Sequence, residues 1–178
     1  MKPHRQRDAL SDRITAYIGL GSNLDGPSGQ IQHAFMEMGA LSHTSILARS
    51  HLYKSRPLGP QNQPDYINAV AKLATELEPL VLLQALRKLE EAHGRQRTDE
   101  GRWGARSLDL DILVYGDICL DTPELTLPHP GIHLRSFVLY PLAELAPTLV
   151  ISGHGTVQAL RDRCHTPAIE RYEEAANE

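Results

Sequence analysis

The chain has 178 residues, a length that fits one domain built around one hydrophobic core. Its formal net charge of −4 argues against a protein that coats nucleic acid or binds anionic membranes. Apolar residues make up 41% of the chain, which is within globular behaviour, and aromatic residues make up only 5%. No apolar run approaches the roughly 18 residues of a membrane span, and no secretory signal is visible. Cys119 and Cys164 are far apart, which favours a reduced, cytoplasmic protein.

Residues 1–13 are polar and are predicted to form a flexible arm. The hydrophobic periodicity after them predicts strands and helices in the order β-α-β-β-α-β, at residues 15–21, 28–41, 44–55, 66–77, 79–94 and 107–116. Pro27 and Pro79 suit the starts of the two helices, and Gly94 suits the end of the second. This order predicts an α+β, ferredoxin-like fold, an antiparallel sheet with helices on one face.

Shorter elements are predicted to follow this unit. They are a short strand near residues 124–127, a helix over residues 136–147 cut by Pro141, and a helix over residues 156–164. We therefore predict a single domain over residues 14–165. Residues 166–178 contain several glutamates and are predicted to form a solvated acidic tail.

The segment RWGARSLDLDIL, residues 102–113, places two aspartates inside an apolar strand. Side chains alternate along a strand, so Asp109 and Asp111 share one face, with roughly 6.6–7 Å between their Cα atoms. Two carboxylates this close are tolerated when a cation lies between them, and oxygen ligands beside a phosphate suit Mg²⁺. The alternative is a solvent-facing strand edge that carries two exposed acids.

A loop rich in arginine, residues 95–106, comes directly before this strand. Arg95, Arg97, Arg102 and Arg106 offer guanidinium groups, which bind phosphate in bidentate fashion. Gly101 and Gly104 suit a loop that closes over a substrate, and Trp103 is the only tryptophan. A salt-bridge network around a core tryptophan is the alternative.

A second loop, residues 56–64, contains three prolines and separates two predicted strands. Its position favours a lid at a binding site over a rigid connector. In the strand that follows, Tyr66 and Asn68 share one face. GLGSN, residues 19–23, lacks the spacing of a dinucleotide-binding motif and is interpreted as a turn at a strand end.

Histidines offer a weaker signal. His129 and His133 are four residues apart, but Pro130 and the absence of an HExxH pattern argue against zinc and favour a phosphate site. Surface positions are predicted for five other histidines, at residues 43, 51, 93, 154 and 165.

RWGARSLDLDIL, YIGLGSN and RPLGPQNQPDYIN occur in an order that resembles the 6-hydroxymethyl-7,8-dihydropterin pyrophosphokinases of folate biosynthesis. The resemblance runs from about Tyr17 to Ala146. It implies a ferredoxin-like fold and an enzyme that transfers pyrophosphate from ATP to the pterin, releases AMP and uses two Mg²⁺ ions. It also implies a cytoplasmic monomer that binds ATP and the pterin but neither nucleic acid nor membrane.

The resemblance further implies a role for each matching position. Magnesium is expected at Asp109 and Asp111. Phosphate binding, catalysis and loop closure are expected of Arg95, Arg97, Arg106 and Trp103. Pterin binding is expected of Ser55, Leu58, Tyr66, Asn68 and Phe137, with Phe137 stacking on the ring. ATP contacts are expected of His129, Arg135 and Glu90.

Two positions depart from the family pattern. Ala105 stands where proline is frequent, and Glu124 where a basic residue can occur, which puts one ATP contact in doubt. Two other functions stay open on the residues alone. A magnesium-dependent kinase or nucleotidyltransferase would use the same aspartates with another stacking pocket. A ferredoxin-like RNA-binding module would need aromatic residues on the central strands and a basic face.

Overall fold

The computed structural model describes residues 13–94 and 104–173. Its first half contains β1 (Ile14–Ser22), α1 (Pro27–Gly39), β2 (Thr44–Arg49), β3 (Tyr53–Ser55), β4 (Tyr66–Thr75), α2 (Pro79–Ala92) and β5 (Asp109–Tyr115). Its second half contains β6 (Leu120–Asp121), β7 (Thr126–Leu127), a 3₁₀ turn (Ile132–Leu134), α3 (Ser136–Leu145), β8 (Val150–Ile151), β9 (Gly155–Thr156), α4 (Val157–Arg163) and β10 (Ile169–Arg171).

The main sheet has the order β10-β3-β4-β1-β5, with β2 also paired to β4, and all of these pairs are antiparallel. The predicted ferredoxin-like α+β arrangement is confirmed. Helices α1 and α2 cover one face, where Ile18, Leu73 and Ile112 from the strands meet Phe35 and Leu86 from the helices. This is the helix-covered face that the pattern predicts, because alternate strand residues point toward it.

The appended helices α3 and α4 pack on the opposite face of the sheet. Val70 and Leu113 from the strands join Leu139, Leu142 and Leu160 from the helices in a second core. The expected interruption of α3 at Pro141 is wrong, since the helix runs through this residue. Burial of the apolar side of α3 outweighs the hydrogen bond that the proline removes.

The predicted strand over residues 44–55 divides into β2 and β3. Ser50 lies between them, and its backbone N–H donates to the Val70 carbonyl at 2.9 Å. Its hydroxyl oxygen accepts a hydrogen bond from the Val70 N–H at 2.9 Å. A side chain therefore replaces the backbone partner of Val70 at this point, and the regular ladder stops.

The described part of the tail after residue 165 adds a strand to the sheet, while its glutamates Glu170 and Glu173 are exposed. Residues Ile169–Arg171 form β10, which pairs with β3 through the partners Ile169 and Ser55. Tyr172 packs against the main core, and its N–H donates to the Leu52 carbonyl at 2.9 Å. Pairing with β3 gives these residues a structural role that their composition does not reveal. Within the described residues, no helix combines the length and apolarity needed to cross a membrane.

Candidate active site

A cavity of about 580 Å³ opens on the sheet face that carries α3. Ten of the predicted site residues line it: Ser55, Leu58, Tyr66, Asn68, Arg106, Asp109, Asp111, His129, Arg135 and Phe137. They come from three strands, three loops and the start of α3. The fold thus brings together, in one place, side chains that are up to 82 residues apart in the chain.

Two glycines on β1 form the floor of this cavity. Gly21 is paired with Asp109 on one side and Asn68 on the other, and Gly19 is paired with Asp111. A Cβ atom at Gly21 would lie 3.5 Å from the Asn68 Oδ1 atom, and one at Gly19 would lie 3.3 Å from a Leu113 methyl carbon. Because these glycines have no side chains, the space between Asn68 on β4 and the two aspartates on β5 stays open. The strands β4 and β5 are roughly 10 Å apart, since β1 lies between them.

The predicted geometry of the aspartate pair agrees with the structure. Asp109 and Asp111 are half-buried on the cavity face of β5, whereas Leu110 and Ile112 point into the core beneath α1 and α2. The Arg106 Nη1 atom donates to the Asp109 Oδ2 atom at 2.9 Å. This contact holds a cationic group next to the carboxylates, as a site for an anionic ligand requires.

His129 lies near the second aspartate, with 3.9 Å between its Nε2 atom and the Asp111 Oδ2 atom. The Nδ1 atom of His129 accepts a hydrogen bond from the Gly131 N–H at 3.1 Å. In the neutral ring, the proton is therefore on Nε2. His129 consequently directs an N–H donor toward the aspartate end of the cavity.

Asn23, which follows β1, joins three loops around the cavity. Its Oδ1 atom accepts from the Arg106 N–H at 2.8 Å, and its own N–H donates to the Arg106 carbonyl at 3.0 Å. Its side-chain amide donates to the Gln63 Oε1 atom and the Pro64 carbonyl at 3.1 and 3.0 Å. Only 2% of Asn23 is exposed, so this buried residue fixes both predicted loops relative to β1.

The opposite end of the cavity contains neutral hydrogen-bonding groups. The Asn68 Nδ2 atom donates to the Ser55 hydroxyl at 2.9 Å, which directs its Oδ1 atom over Gly21. The Tyr66 hydroxyl donates to the Gly104 carbonyl at 2.9 Å and so connects β4 to the loop before β5. These groups suit a flat, polar heterocycle better than a second anion.

Aromatic and cationic groups complete the wall. Phe137, in the first turn of α3, lines the cavity, and the Arg135 guanidinium lies 5.9 Å from its ring centre. The lining also includes Arg56 from the proline-containing loop. Among the described lining residues, three arginines therefore oppose two aspartates, which favours an anionic ligand although the whole chain is negative.

Some expected site residues lie elsewhere. Glu90 is 3% exposed and is not among the described residues that line the cavity. Its Oε1 atom accepts a hydrogen bond from the Leu110 N–H at 2.7 Å. Since β5 is an edge strand, Glu90 satisfies a backbone donor that no neighbouring strand reaches. Arg95, Arg97 and Trp103 lie outside the described residues.

The two residues that depart from the family pattern are both exposed. Ala105 is exposed beside Arg106, and Glu124 is exposed in the turn between β6 and β7, away from the described cavity lining. The Glu124 position therefore gives no support to an ATP contact by this side chain.

Several cavity residues were not predicted from the sequence. Gly19 and Gly21 belong to β1 itself and not to a turn at its end. Arg56 and Gln63, which line the cavity, and Asn23, which holds the loops around it, gave no separate signal, although all three occur within the motifs that carry the resemblance. Two glycines with alternate spacing, opposite an Asp-x-Asp strand, are the pattern that identifies this cavity floor.

The donor set fits a hard cation. Asp109 and Asp111 present carboxylate oxygens to one cavity, with open space over Gly19 and Gly21 beside them. Oxygen ligands with room for water and phosphate oxygens are what Mg²⁺ requires.

Known proteins resemble this chain over most of its length. Residues 17–147 match the family model described as 7,8-dihydro-6-hydroxymethylpterin-pyrophosphokinase. A 2-amino-4-hydroxy-6-hydroxymethyldihydropteridine pyrophosphokinase from Haemophilus influenzae is 52% identical over 147 residues, which are 83% of this chain and 91% of the relative. The enzyme of the same name from Pseudomonas aeruginosa is 48% identical over 155 residues, covering 87% and 94% of the two chains.

Solved structures support the fold. The chain resembles the crystal structure of wild-type HPPK-DHPS from Plasmodium falciparum with pterin and p-hydroxybenzoate, with a TM-score of 0.66 and 15% identity. The match covers 85% of this chain and 43% of that one. At this identity the likeness bears on the architecture alone.

Proposed function

This chain belongs to the 7,8-dihydro-6-hydroxymethylpterin-pyrophosphokinase family, and we propose that its cavity transfers pyrophosphate from ATP to 6-hydroxymethyl-7,8-dihydropterin. AMP is the second product, and the pyrophosphorylated pterin is an intermediate of tetrahydrofolate biosynthesis. The observation that carries this proposal is the pairing of Asn68 and Asp109 with the two sides of Gly21. A polar ring beside Asn68 and a polyphosphate beside Asp109 would then lie next to each other above Gly21.

The pterin occupies the end of the cavity formed by Ser55, Leu58, Tyr66, Asn68 and Phe137. A pterin has hydrogen-bond donors and acceptors along one edge and two apolar ring faces. The Asn68 amide and groups near Ser55 bind the edge, and Phe137 stacks on a face. This places the hydroxymethyl group toward Gly21 and the aspartates.

The triphosphate of ATP occupies the other end. Arg106, Arg135 and the N–H of His129 offer positive or donor groups to its oxygens. We extend the same role to Arg95 and Arg97 and propose that Trp103 closes over the bound substrates. Arg106 belongs with the catalytic residues because its guanidinium lies directly at Asp109.

The chemistry is an in-line displacement at phosphorus. The hydroxymethyl oxygen forms a bond to the β-phosphorus of ATP, and the bond from that phosphorus to the oxygen bridging it to the α-phosphorus breaks. AMP leaves with that oxygen, and the hydroxyl proton passes to water. Positioning and charge stabilisation supply most of the rate enhancement in such reactions, which agrees with a site built from a fixed floor and several cations.

Asp109 and Asp111 are the residues that would hold Mg²⁺, and we propose two ions. Bound there, magnesium neutralises the negative charge of the triphosphate during transfer. Arg106 orients the Asp109 carboxylate for this purpose through its 2.9 Å hydrogen bond.

Asp109→Ala and Asp111→Ala test the proposal. Each variant is expected to fold with an unchanged circular dichroism spectrum, to bind the pterin, and to lose turnover. Asp121→Ala is a control, since this exposed aspartate lies on β6, away from the described cavity lining. Near-wild-type rates in both cavity variants would contradict the assignment of the metal site.

We also propose a monomer in the cytoplasm. The two free cysteines, Cys119 and Cys164, support the cytoplasmic assignment. Light scattering of the purified chain tests the oligomeric state, and a mass of two chains would contradict it.

A further inference from the structure

A cluster of metal-binding side chains lies on the sheet face opposite the cavity. His33 and Glu37 are one turn apart on α1, and His93 follows the last residue of α2. One ligand atom from each of these residues lies within 4.8 Å of those of the other two. The His93 Nε2 atom and the Glu37 Oε2 atom are 2.5 Å apart, and the two histidine rings have centroids 5.3 Å apart.

His93 is held in place by a neighbour on its other ring nitrogen. Gln30 donates from Nε2 to the Asp25 carbonyl at 3.1 Å, so its Oε1 atom is the one that contacts the Nδ1 atom of His93. An amide oxygen only accepts, and therefore Nδ1 carries a proton. Without a metal ion, the hydrogen bond between Nε2 and the Glu37 Oε2 atom needs a proton, and a metal ion bound there would replace that proton.

This arrangement resembles the two shells around a metal ion. Histidine ligands typically donate their second ring N–H to a fixed acceptor, which sets the tautomer and the ring orientation. Gln30 is such an acceptor, and it is itself fixed through Asp25. Burial adds to the order, because the His93 side chain is only 5% exposed, contrary to the predicted surface position.

We infer that His33, Glu37 and His93 form a zinc site that joins α1 to the C-terminal end of α2. Two imidazoles and one carboxylate suit zinc, which takes N and O ligands at about 2.0–2.2 Å and accepts water as a fourth ligand. Tetrahedral ligands at that distance are about 3.3 Å apart. Zinc binding therefore requires the Glu37 carboxylate to move outward from its 2.5 Å contact with His93, and the exposed His33 to turn toward both. This site is separate from the aspartate pair, which offers carboxylates to Mg²⁺.

Zinc binding to the untagged chain, freed of metal by a chelator, tests the inference. Zinc is titrated against a chromophoric chelator in millimolar Mg²⁺, which competes for the aspartate pair. Wild type is expected to bind one zinc and to show a rise in Tm. Cobalt is expected to give the strong visible absorption of a tetrahedral complex with nitrogen ligands. His165→Ala, which removes an exposed histidine elsewhere, is the matched control.

His33→Ala and Glu37→Gln are expected to weaken zinc binding more than 100-fold and to abolish the rise in Tm, while both variants fold. Gln30→Leu, which keeps all three ligands, is expected to weaken binding by about 10- to 100-fold. Equal zinc affinity in wild type, His33→Ala and Glu37→Gln would overturn the inference. A wild-type chain that binds no zinc under these conditions would also overturn it. Neither result depends on pterin turnover.

Discussion

Gly21→Ala separates catalysis from stability at the cavity floor. The new Cβ atom would lie 3.5 Å from the Asn68 Oδ1 atom and 3.8 Å from a Tyr66 ring carbon, which are ordinary van der Waals distances. The protein therefore accommodates the methyl group without rearrangement. Because Gly21 has a backbone conformation open to alanine, we expect the free energy of unfolding to rise by about 0.4–1 kcal/mol through the unfolded state.

The bound pterin does not accommodate the same methyl group. Carbon atoms at contact need about 3.5–4.0 Å between them, and the pterin must cross Gly21 to reach the aspartate end. A displacement of the reacting atom by about 1 Å costs on the order of 100-fold in rate. We therefore expect kcat to fall by about that factor in a protein that is at least as stable as wild type.

Two assays measure these effects. Urea unfolding gives the free energy of unfolding, and initial rates of AMP release at saturating ATP give kcat and KM for the pterin. Gly29→Ala is the matched control, because Gly29 lies in α1 with nothing within 4 Å of an added Cβ atom. It is expected to stabilise the helix by about 1 kcal/mol without changing the rate.

A wild-type kcat and pterin KM in Gly21→Ala would refute this reasoning, since the substrate would then not cross Gly21. A large loss of stability would refute the steric part of it.

Three more predictions address other parts of the chain. Arg106→Ala is expected to lower kcat more than it weakens pterin binding, because its guanidinium donates to Asp109 at the phosphate end of the cavity. Initial rates give kcat and fluorescence titration gives the pterin Kd, and equal relative losses in the two would contradict this. Asn23→Ala lowers the free energy of unfolding by about 1–3 kcal/mol in urea, because the Arg106 N–H loses a buried acceptor; unchanged stability would contradict this. The pKa of His133 is lowered below 6.5, mainly by burial and secondly by the charge of His154. The neutral His133 ring therefore contributes fully to the free energy of unfolding above pH 6.5, and this contribution is lost as the pH falls. His133→Phe is expected to reduce the fall in Tm between about pH 7.5 and about pH 5.5, and an equal fall would contradict the assignment.

Local patterns predicted much of the site. Alternation along a strand depends only on neighbouring residues, so the shared face of Asp109 and Asp111 and that of Tyr66 and Asn68 were both predictable. Pro27 marks a helix start through its own fixed backbone angle, and α1 begins at that residue.

Other features depend on residues far apart in the chain. The break between β2 and β3 arises because Ser50 bonds Val70, twenty residues later. The sequence places Glu90 on a helix. Only the assembled sheet shows that its carboxylate accepts a hydrogen bond from the Leu110 N–H of the edge strand β5. Asn23 likewise has no local signal for its contacts with Gln63 and Arg106.

The family resemblance supplied the reaction, and the structure supports it by geometry. It could not supply the contribution of β10 to the sheet or the contacts of His93, because both lie outside the motifs that carry the resemblance. The sequence motifs therefore predict the groups that take part in the reaction better than they predict the packing around them.

The most direct test of the central claim follows the phosphorus atoms of ATP. The purified chain is incubated with Mg²⁺, 6-hydroxymethyl-7,8-dihydropterin and ATP labelled at the β-phosphorus, and the products are separated. We predict one AMP for each pterin consumed, with the label in a pyrophosphorylated pterin and AMP formation absent without pterin. ADP as the nucleotide product, with the label retained in it, would contradict pyrophosphoryl transfer and indicate a kinase that moves only the γ-phosphate.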